Sequence, residues 1–201
     1  MEYCKEAGFH PSHHFITPCP SPLLLSPSLP RSKPSGQNAP VSFRQKIIAW
    51  DALPAWRSAL RASGQRLVVT NGCFDLLHVG HVTYLETARR QGDALLVGVN
   101  GDAAVRQLKG PDRPVNPEHD RAAVLAALES VSGVCIFAES TATRFLAAAR
   151  PDIYVKGGDY TLDTLNQEER RTVEQAGGTI VIIPFVPGKS TTALLKQIMR
   201  L

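Results

Sequence analysis

The sequence predicts an α/β protein with a three-layer, doubly wound parallel sheet of about five strands. Three observations support this fold class. From Arg66 onward, short apolar runs alternate with segments of helical periodicity. The run at residues 95–99, Leu-Leu-Val-Gly-Val, is nearly continuous in apolar side chains, which is typical of a parallel strand covered on both faces. Finally, the polar and glycine-rich motifs follow predicted strands, which is where ligands bind in such sheets.

Composition limits the classes of partner. The chain has 201 residues, a net charge of +4, 43% hydrophobic residues and 20% charged residues, which suits one globular domain. The positive excess is mild and forms no Lys/Arg block, so we expect no nucleic-acid partner. No apolar run approaches the length of a membrane span, so we expect no membrane partner either. A modest positive field fits a protein that handles small anions.

Residues 1–41 differ from the rest, and we predict a disordered Pro/Ser-rich tail before a domain at residues 42–201. Eight prolines interrupt any helix or central strand there. Glu2 and Glu6, without a cationic amphipathic helix, argue against a mitochondrial address, and no secretory cleavage site is recognisable. The histidines of this stretch are alternative metal ligands, but a solvated tail is the favoured interpretation.

The cysteines indicate a reducing compartment, and we expect a cytoplasmic protein. Cys4, Cys19, Cys73 and Cys135 have no C-x-x-C spacing and no paired framework. Cys73 lies inside the motif described below, and we interpret its side chain as a small packing group rather than a nucleophile.

The helices and strands follow from start and stop signals. Order is predicted from residue 46, and a first helix at residues 52–63 has Asp51 as its N-cap, Pro54 in its first turn and Gly64 as its terminator. Strands are predicted at residues 67–70, 95–99, 134–137, 153–155 and 180–183. Further helices are predicted at residues 79–90, 120–129, 141–149 and 167–175, and one more after residue 192.

The motif at residues 70–81 reads Thr-Asn-Gly-Cys-Phe-Asp-Leu-Leu-His-Val-Gly-His and joins the first strand to a helix. Asn71 and Gly72 are turn formers, and Gly72 has no Cβ to keep a phosphate away from the backbone. His78 and His81 are three residues apart, so on a first helical turn they share one face. That turn also presents unpaired N–H groups and the positive end of the helix dipole. The motif predicts a triphosphate site; the alternative is a histidine pair inside a core.

These residues resemble the H-x-G-H nucleotidyltransferase superfamily, in its cytidylyltransferase-like branch. The full string is similar to the family of D-glycero-β-D-manno-heptose 1-phosphate adenylyltransferases, and the resemblance covers roughly residues 46–198. It implies transfer of AMP from ATP to a sugar 1-phosphate, with Mg²⁺ held mainly by the triphosphate, on the ADP-heptose route to lipopolysaccharide. The residues that it places at the nucleotide are Asn71, Gly72, Cys73, Phe74 and Gly80, with Asp75 on the substrate side.

A second group of candidates follows the second strand. Lys109 lies in a stretch rich in Gly and Pro that we predict to be a loop, where a cation can reach a phosphate. The resemblance assigns this lysine to the phosphates; the alternative is a solvated surface lysine. It also places Arg113 on the sugar-phosphate side, with Arg121 as a weaker candidate.

A third motif, Lys156-Gly157-Gly158-Asp159-Tyr160, ends the fourth strand. It combines a cation, open backbone amides and a carboxylate, and adjacent glycines let the main chain curl around a ligand. We therefore assign Lys156, Gly157 and Asp159 to nucleotide binding. The alternatives are a tight turn with a solvated ion pair, or an Asp159 that holds the preceding turn.

The last motif, Gly188-Lys189-Ser190-Thr191-Thr192, is not a P-loop, because Ile183 stands where that motif needs a glycine. We interpret it as a helix N-terminus whose hydroxyls, on Ser190, Thr191 and Thr192, bind phosphate oxygens. A plain helix cap is the alternative. Related lipid-precursor cytidylyltransferases carry an arginine just before this motif, and residues 185–187 have none.

The mechanistic hypothesis needs no strong base, because the sugar phosphate is already anionic. His78 and His81 would donate to the phosphate oxygens, Lys109 would screen the triphosphate, and the last helix would hold its β and γ groups. The chain contains no recognisable sugar-kinase domain, so we expect a stand-alone enzyme. The alternatives are a glycerol 3-phosphate cytidylyltransferase and a non-catalytic nucleotide-binding module. The oligomeric state is open, with a homodimer as one alternative.

Overall fold

The computed structural model describes residues 42–158, 160–184, 188, 190–198 and 200. The predicted tail at residues 1–41 and the candidate residue Asp159 lie outside the described residues. The boundary between tail and domain therefore stays a prediction.

One five-stranded sheet forms the centre of the protein, and all of its pairings are parallel. Its strands are β1 (Leu67–Gly72), β2 (Ala94–Asn100), β3 (Gly133–Phe137), β4 (Ile153–Gly157) and β5 (Thr179–Ile183). Their spatial order is β3-β2-β1-β4-β5. The chain builds outward from β1 in one direction and then crosses over to β4, so the strand order reverses between β1 and β4. In a doubly wound sheet this reversal is the expected ligand site.

Helices cover both faces of the sheet. They are α1 (Leu53–Ala62), α2 (Val79–Arg89), α3 (Asp102–Lys109), α4 (Glu118–Ala126), α5 (Thr143–Ala149), α6 (Gln167–Gln175) and α7 (Thr191–Ile198). Side chains of α2 and α4 share one apolar cluster, and side chains of α1, α5 and α6 share another. Successive strand residues divide between the clusters: Val68 belongs to the first, and Leu67 and Val69 belong to the second. The predicted three-layer, doubly wound class is confirmed.

Most predicted elements lie within three residues of their predicted positions. The assignment of Asp51 as an N-cap is wrong. Trp50–Ala52 forms a short 3₁₀ helix and α1 begins at Leu53, so Ala52 occupies the cap position without a side-chain hydrogen bond. Pro54 does stand in the first turn, where its missing N–H costs nothing.

The predicted loop around Lys109 is also wrong, because residues 102–109 form α3. The glycines and prolines that suggested a loop lie on either side of this segment, while Ala104 and Val105 are buried on its inner face. The carboxylate of Glu118 accepts a hydrogen bond from the Asp102 N–H at 2.7 Å and satisfies one of the free amides at the start of α3. Lys109 is the last residue of this helix.

No helix among the described residues has both the length and the apolar character needed to cross a bilayer.

Gly98 in β2 leaves the space that the Phe145 ring occupies. A Cβ at Gly98 would lie 2.5 Å from that ring, and the ring stacks on Phe137 with 5.1 Å between centroids. We expect Gly98→Ala to lower the free energy of unfolding by about 1–3 kcal/mol, because a packed core resists added volume. Urea denaturation measures this loss. Phe145→Leu introduced into Gly98→Ala should recover part of it, and a Gly98→Ala protein as stable as the wild type would contradict the packing argument.

Candidate active site

The site lies at the carboxyl ends of β1 and β4, where the strand order reverses. Asn71 and Gly72 end β1, and Lys156 and Gly157 end β4. The ammonium of Lys156 donates to the side-chain oxygen of Asn71 at 3.0 Å, although the two residues are 85 positions apart. The first and third sequence motifs therefore meet at one point. Gly158 follows with a φ of +113°, a conformation that glycine adopts without strain and that fits the predicted curl of the main chain.

The two histidines stack at the start of α2. Their ring centroids are 3.9 Å apart and their planes differ by 23°. His78 is the N-cap of the helix rather than part of its first turn, with an extended backbone at φ −141° and ψ 169°. The two side chains nevertheless occupy one face, as the spacing predicted. Phe74 contacts His81 edge to face at 5.5 Å, so the pair is supported from one side by the core.

His81 is neutral at physiological pH. Burial, with the charge of His78 as a second cause, lowers the pKa of His81 from 6.5 to about 4. Its Nδ1 atom is buried and has no hydrogen-bond partner within the described part of the chain. A bound anion would favour the protonated form of this imidazole.

We therefore expect the binding of a triphosphate to be coupled to proton uptake at His81. Without ligand, the folded-state pKa lies below the unfolded value, so the unfolded chain binds the proton more readily and stability falls as pH decreases from 6.5 towards 4. A bound anion reverses that shift, so affinity should increase as pH is lowered from 7.5 to 6. Calorimetric titration with MgATP in two buffers of different ionisation enthalpy measures the proton uptake. His81→Ala is the control, and equal uptake in both proteins would contradict the assignment.

The side chains of Phe74 and Cys73 have packing roles in this structure. Phe74 is 8% exposed, and a Cβ at Gly72 would lie 3.1 Å from its ring. A glycine at position 72 therefore makes room for the Phe74 ring, in addition to its predicted role of letting a phosphate approach the backbone. The Phe74 ring therefore has a packing role, and its contact with the nucleotide stays a prediction. Burial raises the pKa of the Cys73 thiol, and the nearby charge of Lys109 only partly opposes the shift. The thiol form agrees with the interpretation that Cys73 is not a nucleophile.

The carboxylate of Asp75 is enclosed by the fold, and the contact of Asp75 with substrate stays a prediction. The side chain is 1% exposed, and it accepts hydrogen bonds from Arg113 Nε at 2.5 Å and from the N–H groups of Val115 and Asn116 at 2.8 and 3.0 Å. Burial alone would raise the pKa of Asp75, but the bonds from Asn116, Val115 and Arg113 outweigh it and hold the pKa below its ordinary value. Asp75 therefore ties the site loop to residues 113–116. The role of Arg113 towards the sugar phosphate stays a prediction.

Arg121 also has a structural role, and its contact with the sugar phosphate stays a prediction. Its side chain is fully buried and forms an ion pair with Asp102 at 2.8 Å. It also donates to the backbone oxygens of Asn116, Cys73 and Asn100, at 2.9, 2.5 and 2.8 Å. These bonds join the site loop, the end of β2 and the loop before α4. Arg121 lies beside Ala122 and one turn before Leu125, and both of these residues are buried. This position in the sequence indicates that Arg121 lies on the inner face of α4.

The start of α7 lies against the first motif. The hydroxyl of Thr191 donates to the backbone oxygen of Leu76 at 3.2 Å, 115 residues earlier in the chain. Ser190 accepts from the Ala193 N–H at 3.1 Å, so it caps the helix, as the alternative interpretation proposed. Thr192 is exposed. Contact of these hydroxyls with phosphate stays a prediction. Lys109 is exposed and lies near Cys73, and its contact with the phosphates also stays a prediction.

Sequence reasoning missed two buried polar residues beneath the site, Tyr154 in β4 and Glu169 in α6. The signal for Glu169 is its spacing of four from Val173, which puts a carboxylate on the buried face of an otherwise charged helix. The described residues contain no group of three or more His, Cys, Asp or Glu side chains that could hold a metal.

Comparison with known proteins gives a consistent picture. The family model described as cytidylyltransferase-like matches residues 69–196. The bifunctional protein HldE of Trichlorobacter lovleyi is 49% identical over 154 residues, which is 77% of this chain and 31% of that protein. HldE of Geotalea uraniireducens is 51% identical over 153 residues, with shares of 76% and 31%. The chain thus spans about a third of the length of these curated relatives.

A solved structure is also similar. The crystal structure of the lipopolysaccharide core biosynthesis protein from Thermoplasma volcanium shares 27% sequence identity and superposes with a TM-score of 0.50. The match covers 61% of this chain and 98% of that chain.

Proposed function

Because the chain belongs to the cytidylyltransferase-like family, we propose that it transfers AMP from ATP to a sugar 1-phosphate, with release of pyrophosphate. The proposed acceptor is D-glycero-β-D-manno-heptose 1-phosphate, and the product is ADP-heptose. The observation that carries the proposal is the stacked pair of His78 and His81 at the start of α2, the helix that follows β1 at the reversal of strand order. Identity of about 50% to HldE proteins supports the choice of substrate, as does the description of the solved relative as a lipopolysaccharide core biosynthesis protein.

The proposed reaction is an in-line displacement at the α-phosphorus. An oxygen of the sugar phosphate attacks, and pyrophosphate leaves. The main difficulty is to hold two polyanions together and to stabilise the charge that develops on the phosphoryl oxygens. His78 and His81 supply donors to those oxygens, and Lys109 and Lys156 supply positive charge. The helix start at residues 190–192 holds the β- and γ-phosphates.

We write Mg²⁺ as part of the MgATP substrate, because phosphate oxygens supply most of its ligands in such reactions. We place the enzyme in the cytoplasm, where ATP is available and where free thiols such as those of Cys73 and Cys135 stay reduced. The choice between monomer and homodimer is open, and light scattering on the purified chain decides it.

The test is incubation of the purified chain with MgATP or MgCTP and a panel of acceptors, followed by mass detection of the conjugate and assay of pyrophosphate. The panel contains heptose 1-phosphate, a hexose 1-phosphate and glycerol 3-phosphate. We expect ADP-heptose from ATP and heptose 1-phosphate. CDP-glycerol and pyrophosphate from CTP and glycerol 3-phosphate would instead identify a cytidylyltransferase. ATP binding without turnover of any acceptor would identify a non-catalytic nucleotide-binding module.

A further inference from the structure

Beneath the candidate active site lies a small buried polar network. Tyr154 is fully buried in β4, and its hydroxyl lies 2.6 Å from the side-chain oxygen of Asn71 and 2.8 Å from Oε2 of Glu169. Lys156 joins the same two acceptors, with its ammonium 3.0 Å from Asn71 and 3.4 Å from Glu169. These four side chains, here called the Glu169 network, connect α6 to the ends of both central strands.

Glu169 is held from two sides. Its Oε1 atom accepts a hydrogen bond from the Ala142 N–H at 2.8 Å, next to the start of α5, while Oε2 lies 2.8 Å from the Tyr154 hydroxyl, whose single proton can be donated either to Glu169 or to Asn71. The residue is only 5% exposed, and its positive partner, Lys156, has a side chain that is 14% exposed. A buried ion pair adds little to stability, because apolar side chains of the same volume would serve the core as well. Its presence at the edge of a ligand site therefore suggests a role in the site.

The network determines which polar groups are left for a ligand. The ammonium of Lys156 has three N–H bonds, of which one is donated to Asn71, while the 3.4 Å contact with Glu169 is an ion pair. The carbonyl oxygen of Asn71 accepts from Lys156 and faces the Tyr154 hydroxyl, so the amide NH₂ is the part of this side chain that remains available. Burial and the neighbouring Glu169 raise the pKa of Tyr154 well above its ordinary value, so its hydroxyl keeps its proton. All the groups left over are hydrogen-bond donors, which suit phosphate oxygens.

We propose that Glu169 is a positioning residue of the active site: it holds the Lys156 ammonium directly, and the Asn71 amide through Tyr154, so that both present donors to the nucleotide phosphates. This inference rests on the proposed function, because it assumes that ATP binds at the ends of β1 and β4. Glu169 itself need not touch the nucleotide.

The first test is Glu169→Gln, which keeps the shape of the side chain and removes its charge. The Gln side chain has one oxygen, which cannot face the Ala142 N–H, the Tyr154 hydroxyl and the Lys156 ammonium together. The Lys156 ammonium therefore loses its negatively charged partner. We expect the KM for ATP, and its Kd by calorimetry, to increase about tenfold, the effect of one displaced charge-assisted hydrogen bond, with a smaller change in kcat. Glu168→Gln is the matched control, since Glu168 is exposed on the same helix.

A double-mutant cycle separates positioning from simple stabilisation. If Glu169 acts partly through Lys156, Glu169→Gln should increase KM and Kd less in the Lys156→Met background than in the wild type, because only the route through Tyr154 to Asn71 then remains. Increases that are fully additive would overturn the inference. So would a Glu169→Gln protein that loses thermal stability but binds ATP like Glu168→Gln. Should Glu169→Gln fail to fold, Tyr154→Phe removes a single hydroxyl from the network and is expected to weaken ATP binding in the same direction; unchanged binding would count against the inference.

These outcomes distinguish the inference from the proposed function. Wild-type turnover with equal KM values for Glu169→Gln and Glu168→Gln would overturn the role of Glu169 and leave the function in place. ATP binding without turnover would remove the proposed function, while the Kd values would still support or overturn the role of Glu169. A wild-type chain that neither binds nor consumes ATP would overturn both.

Discussion

Replacing His81 or His78 with Ala is expected to lower kcat by about 10²–10³, equivalent to about 3–4 kcal/mol of transition-state stabilisation, because each variant loses a preorganised donor to the phosphoryl oxygens. The two rings stack at 3.9 Å, so removing one also removes the surface that orients the other. Effects of the two substitutions should therefore not add: the double variant should be only slightly worse than either single variant.

The measurement is steady-state turnover with MgATP and the sugar 1-phosphate, alongside thermal unfolding. Both rings are only partly buried, so the variants should remain folded. His119→Ala is the matched control, because His119 is an exposed residue in the first turn of α4 and is expected to leave kcat unchanged. Wild-type turnover in both site variants would disprove the assignment of the histidine pair to catalysis.

Arg121→Met is expected to cause the largest loss of stability among the substitutions considered, about 3–5 kcal/mol of the free energy of unfolding. Methionine fills much of the volume but leaves the Asp102 carboxylate and the backbone oxygens of Cys73, Asn100 and Asn116 without their donor. Buried acceptors that lose a charged partner incur a desolvation penalty. Because three of these acceptors lie in segments around the site, the loss should also disorder the site loop.

Urea denaturation, followed by circular dichroism, measures this loss. Arg121→Lys should recover only part of it, since one ammonium cannot reproduce the spread of donors of a guanidinium. The control is Arg90→Ala: the Arg90 side chain is 72% exposed and forms an ion pair with Glu86 one turn away, so the expected change is within about 1 kcal/mol. An Arg121→Met protein as stable as the Arg90 variant would contradict the structural role.

One error of the sequence-based interpretation has a local cause. Lys109 is predicted to lie in a loop because glycine and proline stand close to it, yet residues 102–109 have enough buried apolar side chains to form α3. The resemblance places Arg121 and Asp75 on the substrate side, and the structure gives both side chains internal partners as well. Both are saturated by partners that are distant in sequence, such as Cys73 for Arg121 and Val115 for Asp75.

By itself the sequence determined the fold class, the positions of the five strands, and the pairing of His78 with His81 on one face. These properties depend on local signals: the period of apolar residues, the helix stop signals, and a spacing of three residues at a helix start. Only the tertiary structure decided which polar groups remain for a ligand. The charged groups of Asp75 and Arg121 are paired inside the fold, and Glu169 lies beside Lys156. These contacts join residues far apart in the chain, so they depend on how strands and helices pack, which no local pattern encodes.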